Sequence, residues 1–304
     1  MELSRKNSAI TSSLTLAIDA KAKKMKAQGM DVVGFGAGEP DFNTPAHVIE
    51  AAKEALEKGY TRYTPTSGIS ELKEAICCKL KQDNGLEYKP SQIIVSNGAK
   101  HSLFNAFEAI LNPGDEVIIP SPYWLSYPEI VRIAGGIPVY LDTKEENDFK
   151  ICIDDLRKAI TANTKALIIN SPNNPNGCVY RPDELEAIAQ LAVEKQIFIV
   201  SDEIYEVLVY DGVKHVSIAS LGPEIKDLTI VINGMSKAYA MTGWRIGYAA
   251  AREDVVNIMS NIQSHTTSNI NSITQYASIA ALRGPGDEIK QWLMNLTGEE
   301  GIWQ

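Results

Sequence analysis

The sequence has little of several features that mark specialised proteins. Its 304 residues include only 4 cysteines, at positions 77, 78, 152 and 178, and only 7% aromatic residues. No C-x-x-C pair occurs, and the cysteines show no metal-ligand spacing with the 4 histidines. We therefore expect reduced thiols, no metal site and a cytoplasmic location, because a disulfide framework is typical of oxidising compartments.

Basic residues are also scarce relative to acidic ones. Lys and Arg number 29 against 38 Asp and Glu, which gives a net charge of −9. Such a balance disfavours attraction to nucleic acid or to acidic membrane surfaces. The longest charge-free run, residues 255–282, is rich in Ser, Thr, Asn and Gln and does not resemble a transmembrane helix, and the N-terminus lacks the apolar core of a secretory signal. We expect neither nucleic acid nor membrane as a partner.

The composition that remains is that of a globular protein with one or two domains. Hydrophobic residues make up 44% and charged residues 22%. Short apolar runs rich in β-branched residues alternate with longer helical patterns, which predicts an α/β fold with a largely parallel sheet. The predicted strands are 93–96, 116–119, 137–141, 166–170, 197–201, 229–233 and 246–250, and the predicted helices are 46–57, 70–81, 101–111, 183–195, 253–263 and 270–282.

Polar or aromatic clusters follow five of these strands. In such sheets, ligands bind at the carboxyl ends of the strands, so the clusters are expected to meet at one edge. They are Asn97-Gly98-Ala99-Lys100, Ser121-Pro122-Tyr123-Trp124, Ser171-Pro172-Asn173-Asn174-Pro175, Asp202-Glu203-Ile204-Tyr205 and Gly234-Met235-Ser236-Lys237.

Two charged residues in these clusters point to chemistry. Asp202 ends a very apolar strand, so its carboxylate needs a cation or several donors, although a helix N-cap is the plainer interpretation. Lys237 lies between a buried strand and Trp244, where loss of solvent would make its amine neutral and nucleophilic. A lysine taken alone is far more often solvated, and only its combination with an acid at a strand end, a stacking Trp and two phosphate-binding elements favours the catalytic interpretation.

Other residues of the clusters suit a flat, phosphorylated ligand. Gly98 precedes a predicted helix whose N-terminus could hold a phosphate, and Arg245 suits bidentate phosphate recognition. Trp124 could lie on a planar ring, and Asn174 is held in a turn between two prolines. Each has a plainer interpretation as a turn or as core packing. Together with a reactive lysine and a buried acid they describe a site for pyridoxal 5′-phosphate (PLP).

The sequence resembles the fold type I PLP enzymes of the class I and II aminotransferase family, in particular bacterial aspartate aminotransferases. The similar motifs occur in family order between about residue 3 and about residue 290. They are Gly36-Ala37-Gly38-Glu39-Pro40-Asp41-Phe42, Tyr63-Thr64-Pro65-Thr66-Ser67-Gly68, Asn97-Gly98-Ala99-Lys100, Ser121-Pro122-Tyr123-Trp124, 170–177, 201–205 and 234–247.

The resemblance implies roles for the cofactor-binding residues. Lys237 would bond the cofactor aldehyde and act with Asp202 and Tyr205 in catalysis, Asp202 holding the ring nitrogen protonated. The remaining cofactor contacts implied are Tyr205 and Asn174 at the phenolic oxygen, Trp124 on the ring, and Gly98, Ala99, Lys100, Ser236 and Arg245 at the phosphate.

The resemblance also implies substrates and a partner. An amino acid and a 2-oxo acid would exchange the amino group, with aspartate as the expected donor, and the substrate would contact Gly38, Lys100, Trp124 and Asn174. Tyr63 would reach the phosphate of a neighbouring subunit, so a homodimer with shared sites is expected. The implied fold is a seven-stranded, mostly parallel sheet with helices on both faces, plus an incomplete small domain.

The resemblance further implies a division of the chain. Residues 1–40 would form an N-terminal arm and part of the small domain, 41–287 the large PLP-binding domain, and 288–304 the start of the small-domain segment. Family members continue further and there supply an arginine that clamps the substrate α-carboxylate, while residues 291–304 do not resemble the charged helix expected at that point. We therefore expect a truncated form that binds PLP but transaminates weakly.

The sequence leaves three other functions open. A PLP-dependent carbon–sulfur lyase on the same fold would release pyruvate and ammonia rather than a 2-oxo acid by exchange. A non-catalytic remnant would bind PLP at Lys237 without amine exchange. A purely structural α/β protein would form no borohydride-reducible adduct at Lys237.

Overall fold

Seven strands form one sheet in the computed structural model, which describes residues 10–12, 14–34, 36, 38–210 and 212–300. In chain order they are β1 (Ile93–Ser96), β2 (Glu116–Ser121), β3 (Ile137–Asp142), β4 (Thr164–Asn170), β5 (Phe198–Asp202), β6 (Thr229–Gly234) and β7 (Gly247–Ala250). The spatial order is β1-β7-β6-β5-β4-β2-β3. β7 runs antiparallel to β1 and β6, whereas the other four pairings are parallel. The predicted α/β fold with a mostly parallel, seven-stranded sheet is confirmed.

Helices connect and flank these strands. They are α1 (Leu14–Ala27), α2 (Ala46–Glu57), α3 (Ser70–Asn84), α4 (Ala99–Ile110), α5 (Ser126–Ile133), α6 (Ile153–Ala159), α7 (Pro182–Lys195), α8 (Pro223–Leu228), α9 (Glu253–Thr266), α10 (Ser272–Arg283) and α11 (Asp287–Glu300). All six predicted helices and all seven predicted strands are present, with ends within three residues of those expected.

Five helices were missed by the sequence analysis, and their lengths explain part of this. α6 has 7 residues and α8 has 6, too few for a helical period to stand out. Residues 287–300 also form a helix that the sequence did not predict. Residues 301–304 lie outside the described ranges.

Helices cover both faces of the sheet, as predicted. Successive strand residues point to opposite faces, so Ile94 packs with α4, α5 and α9, while Ile93 and Val95 pack with α2, α3 and α10. A third cluster joins α6, α7 and α8 to Leu167 and Ile169 of β4. Because β1 and β4 through β7 are apolar and covered on both sides, the loops after the strands are left to carry polar function.

One glycine allows the sheet to approach the start of α4. A Cβ on Gly247 of β7 would lie 2.3 Å from the backbone nitrogen of Ala99 and 2.5 Å from the carbonyl carbon of Gly98. No side chain fits at that distance, so glycine permits the strand to pack against the helix N-terminus. The free amide groups at that end of α4 are thereby brought close to the carboxyl end of β6.

Two expectations from composition concern features outside the sheet. The four cysteines, all within the described ranges, are free thiols. Across the described ranges, the helices lack the combination of length and apolar content that crossing a bilayer requires.

Candidate active site

A cavity of about 870 Å³ opens at the carboxyl ends of the central strands. It gathers residues from loops that are far apart in sequence. Among the residues singled out from the sequence, its walls include Gly38, Ala99, Lys100, Trp124, Asn174, Asp202, Tyr205, Ser236, Lys237 and Arg245. The predicted convergence of the strand-end clusters is therefore observed.

Asp202 lies at the buried end of β5. Its side chain accepts a hydrogen bond from the Tyr127 hydroxyl at 2.7 Å through Oδ2, and one from the Ile204 amide at 3.3 Å through Oδ1. Burial raises the pKa of Asp202 to about 6, although both hydrogen bonds act in the opposite direction. A cation entering the cavity would favour the ionised form, so the carboxylate is suited to a protonated ring nitrogen.

Lys237 follows β6 and is half-buried in the same cavity. Its Nζ donates a hydrogen bond to the carbonyl oxygen of Gly38 and lies 5.6 Å from the centre of the Tyr205 ring. Burial lowers the pKa of Lys237, and the positive charge of Arg245 lowers it further, against an opposing contribution from Glu39. The amine is therefore more readily neutral, and more nucleophilic, than one in water.

A chain of hydrogen bonds connects Tyr205 to the strand that carries Asp202. The side-chain Nδ2 of Asn174 donates to the Tyr205 hydroxyl at 3.4 Å, and its backbone N–H donates to Asn170 Oδ1 at 2.7 Å. Asn170 Nδ2 in turn donates to the Asp202 carbonyl at 3.0 Å, as expected for Cα partners in the β4–β5 register. These bonds fix the loop after β4, so the amide of Asn174 and the phenol of Tyr205 face the cavity at set positions.

An anion site is built where α4 begins. Gly98 precedes the helix with φ 84, and a Cβ there would lie 2.4 Å from Nη2 of Arg245. Arg245 donates from Nη1 to the Thr242 carbonyl at 2.8 Å and from Nη2 to the Asn97 carbonyl at 3.3 Å. A guanidinium is thus held against the free amide groups of a helix N-terminus, which is an arrangement that binds phosphate.

Lys100 and Trp124 form a second wall beside this anion site. Lys100 Nζ lies 4.8 Å from the centre of the Trp124 ring. Trp124 also meets Tyr127 edge-on, with ring centroids 5.3 Å apart and planes at 82°. Partial burial lowers the pKa of Lys100, and the Arg245 charge adds to the effect. The indole is thereby fixed by a ring behind it, and a flat ligand has a surface on which to stack.

Tyr63 does not join this cavity within the chain. It is 91% exposed and is absent from the residues that line the site. The two predicted site residues outside the lining are therefore Tyr63 and Gly98, and Gly98 nevertheless touches the site through Arg245.

Tyr127 and Asn170 also line the cavity, although neither was predicted as a site residue. Tyr127 lies three residues after Trp124, and Asn170 opens the Asn-Ser-Pro-Asn-Asn-Pro stretch. Their proximity to the recognised motifs was the available signal. A residue three positions from an aromatic in a loop is usually packing, and so the contact with Asp202 could not be inferred from spacing.

Three potential metal ligands also meet behind the site. Ligand atoms of Glu203, Glu206 and His215 lie within 4.8 Å of one another, which the sequence spacing did not reveal. The carboxylate of Glu206 is already bonded to the Lys79 ammonium, and Asn84 Nδ2 donates to it at 2.7 Å. Although burial opposes it, the bond with Glu203 raises the pKa of His215. In this buried network the Lys79 ammonium offsets the Glu206 carboxylate, and His215 is bonded to Glu203.

The chain is similar to known proteins over most of its length. Residues 30–298 match the family described as aminotransferase class I and II. The aspartate aminotransferase of Bacillus subtilis (strain 168) is 56% identical over 291 residues, which are 96% of this chain and 74% of that protein. The aspartate aminotransferase of Bacillus sp. (strain YM-2) is 57% identical over 93% of this chain and 72% of its own length.

Solved structures agree. The structure of aspartate aminotransferase from Thermus thermophilus with maleate superposes with a TM-score of 0.92 at 47% identity, covering 98% of this chain and 77% of that one. The aspartate aminotransferase from Rhizobium meliloti gives a TM-score of 0.93 at 43% identity, over 97% of this chain and 74% of that one.

Proposed function

The chain belongs to the class I and II aminotransferase family, whose members depend on PLP, and we propose that its cavity carries amino transfer between L-aspartate and a 2-oxo acid. The observation that carries the proposal is the presence in one cavity of an amine with a lowered pKa, Lys237, and a buried carboxylate, Asp202. A nucleophilic amine and an acid for a pyridinium are the two groups that this cofactor requires.

The residues present fit the cofactor. Gly98 has no side chain, and a Cβ at that position would fill the space that the Arg245 guanidinium occupies. The guanidinium and the free backbone N–H groups at the start of α4 are donors that suit a phosphate. In our proposal Lys237 bonds the aldehyde and Asp202 pairs with the ring nitrogen. The other cofactor contacts we propose are Tyr205 and Asn174 at the phenolic oxygen, Trp124 on the ring, and Gly98, Ala99, Lys100, Ser236 and Arg245 at the phosphate.

The protein's own groups set up the chemistry. When bound, PLP supplies an aldehyde that condenses with amines and a ring that withdraws electrons from the substrate α-carbon. Lys237, whose pKa burial lowers, is a base that can accept the α-proton at Nζ and return it. Tyr205 stays protonated, because burial and the Asp202 charge raise its pKa, and so its hydroxyl can donate a hydrogen bond.

Substrate recognition is the less complete part of the cavity. We propose that the Gly38 backbone meets the α-carboxylate, with Trp124 and Asn174 alongside, and that Lys100 attracts the distal carboxylate of aspartate. Among the described residues that line the cavity, the cations are Lys100, Lys237 and Arg245. Each has another proposed role, so we expect the 304-residue chain to hold the α-carboxylate weakly and to transaminate slowly.

We further propose the domain and subunit organisation expected from the family. Residues 41–287 would form the PLP-binding domain, residues 1–40 the N-terminal arm, and 288–304 the start of the small-domain segment. A homodimer would let Tyr63, 91% exposed in the single chain, act at the neighbouring site.

The proposal is tested by trapping the cofactor and then following amine exchange. The absorbance band of added PLP is expected to shift when its aldehyde bonds the protein. After borohydride reduction, the cofactor should remain attached to the peptide that contains Lys237. Lys237→Ala should abolish the adduct. Lys165→Ala, which removes a lysine packed over Phe198 away from the cavity, should leave it intact.

Adding aspartate with 2-oxoglutarate then separates the functions. Oxaloacetate and glutamate formed together support transamination, and pyruvate with ammonia from a cysteine-type substrate would identify a carbon–sulfur lyase instead. A Lys237 adduct that no amino acid alters would indicate a non-catalytic PLP-binding protein. An adduct that survives Lys237→Ala would overturn the assignment of the lysine.

A further inference from the structure

Tyr127 contacts two groups that the proposed function uses, although the reaction gives it no chemical step. It lies in the first turn of α5, and its side chain is 2% exposed. The hydroxyl donates to Asp202 Oδ2 at 2.7 Å, and the ring meets Trp124 edge-on, with ring centroids 5.3 Å apart. The Tyr127 side chain thus contacts both the Asp202 carboxylate and the Trp124 indole.

The direction of the hydrogen bond follows from the protonation of the phenol. Burial, together with the neighbouring Asp202 charge, raises the pKa of Tyr127 well above its ordinary value. The phenol therefore keeps its proton at neutral pH. Because an ionised Asp202 carboxylate can only accept hydrogen bonds, the phenol O–H is the donor. A hydrogen bond to a charged group is shorter and stronger than a neutral one, and it favours the ionised partner.

Among the described residues, two donors contact the Asp202 carboxylate. The Ile204 amide is the other donor that contacts the carboxylate, at 3.3 Å. The titratable groups that face Asp202 are Tyr127 from α5 and, on its own segment, Glu203 and Tyr205; the Glu203 charge disfavours ionisation. Lys237 shares the cavity. Tyr127 is thus the nearer of the two donors.

From this geometry, and on the premise of the proposed function, we propose that Tyr127 is a positioning residue: it fixes the orientation of the Asp202 carboxylate and keeps it ionised for the ring nitrogen of PLP. It acts through Asp202 and, by its edge contact, through Trp124. It does not itself contact reacting atoms in this proposal.

The test compares PLP affinity across pH 5 to 8 in wild type and Tyr127→Phe. The variant keeps the ring and its contact with Trp124 but loses the donor. We expect the dissociation constant for PLP to rise about tenfold near pH 6 to 7, the effect of one hydrogen bond to a charged group. The acid side of the binding profile should move to higher pH, and the two proteins should converge at the alkaline end, where Asp202 ionises unaided.

Tyr180→Phe is the matched control. Tyr180 is also buried, at 5% exposure, and its hydroxyl accepts a hydrogen bond from the Ile151 amide at 3.1 Å, outside the predicted site. This variant should lose thermal stability without moving the PLP profile. If Tyr127→Phe behaves in the same way, its role is structural and the proposal is wrong.

A second substitution tests the proposal if Tyr127→Phe does not fold. Tyr127→p-aminophenylalanine fills the same space and retains a weaker donor, so the acid side of the profile should move in the same direction by a smaller amount. An unchanged profile overturns the proposal. A wild-type chain that binds no PLP overturns the proposed function and this inference together, whereas normal wild-type binding with an unaffected Tyr127→Phe profile overturns this inference alone.

Discussion

Opposite pKa shifts at two residues define the candidate site. Burial lowers the pKa of Lys237 and raises that of Asp202 to about 6, because desolvation penalises whichever form is charged. The lowered pKa makes the Lys237 amine more nucleophilic, whereas the raised pKa means that ionised Asp202 is stabilised when a cation pairs with it. Perturbed pKa values of this kind cluster at functional sites, since structure alone rarely requires two unpaired ionisable groups in one cavity.

The raised pKa of Asp202 predicts how stability depends on pH in the cofactor-free protein. The folded state binds the proton more tightly than the unfolded chain, whose value is 3.8. The stabilisation is therefore complete below that pH and is lost as pH rises towards about 6. Relative to Asp202→Asn, wild type should lose about 2 kcal/mol of unfolding free energy between pH 4 and pH 7.

Urea unfolding of both PLP-free proteins at several pH values measures this difference. Other titrating groups cancel in the comparison because they are common to both proteins. Parallel stability curves would show that Asp202 titrates normally and would remove the electrostatic argument for its role.

At the scale of elements, the site depends on how β7 meets α4. Gly247 brings the strand against the amide groups of Gly98 and Ala99, where the proposed phosphate site lies. The neighbouring pair in the β6–β7 register is Gly234 and Gly247, so both strands are free of side chains at this point. The anion site is therefore a product of backbone packing rather than of a single motif.

Gly247→Ala is expected to damage both stability and cofactor binding. Its Cβ would lie 2.3 Å from the Ala99 nitrogen, so the backbone must shift, at a cost of about 1 to 3 kcal/mol as for other overpacked sites. PLP affinity should fall as well, because the start of α4 moves. Gly286→Ala, where a Cβ would meet nothing within 4 Å, is the control and should change neither quantity.

Denaturant titration and PLP binding report the two effects separately. Loss of stability with normal PLP affinity would mean that α4 can yield without disturbing the anion site, which contradicts the proposed coupling.

At the scale of the whole molecule, the role predicted for Tyr63 depends on the proposed homodimer. Tyr63 is 91% exposed and lies outside the cavity, yet its motif is among those that carry the family resemblance. The segment around it is packed on α10: Tyr60 stacks on Tyr276 with ring centroids 4.3 Å apart, and Gln275 donates to Thr64 Oγ1 at 2.9 Å. An exposed aromatic on a fixed segment is suited to contact with a second subunit.

Tyr63→Ala is therefore expected to weaken PLP binding in the dimer, by up to about tenfold for one hydrogen bond to a charged phosphate. Sedimentation at several concentrations shows whether the protein is dimeric, and fluorescence titration gives the PLP affinity. Val213→Ala removes an apolar side chain that is 48% exposed and should have no effect. Equal PLP affinity for wild type and Tyr63→Ala in a proven dimer would rule out the shared site.

Much of this protein was predictable because its signals are local. Runs such as residues 166–170 and 229–233 are apolar throughout, since both faces of their strands are covered, and the alternation with helices then predicts a mostly parallel sheet. The gathering of Asp202, Asn174 and Lys237 followed from one rule, that parallel strands present their carboxyl ends on the same edge. The roles proposed for these residues came from resemblance and remain predictions.

The tertiary structure decided what depends on distances between remote segments. Tyr127 and Asp202 are 75 positions apart, and their 2.7 Å hydrogen bond exists because the fold brings the first turn of α5 to the end of β5. The antiparallel setting of β7, the clearance around Gly247 and the opposite pKa shifts of Lys237 and Asp202 have the same origin. Periodicity in a sequence reports which face of an element is buried; the order in which strands assemble, and the solvent each packing excludes, determine which groups then meet.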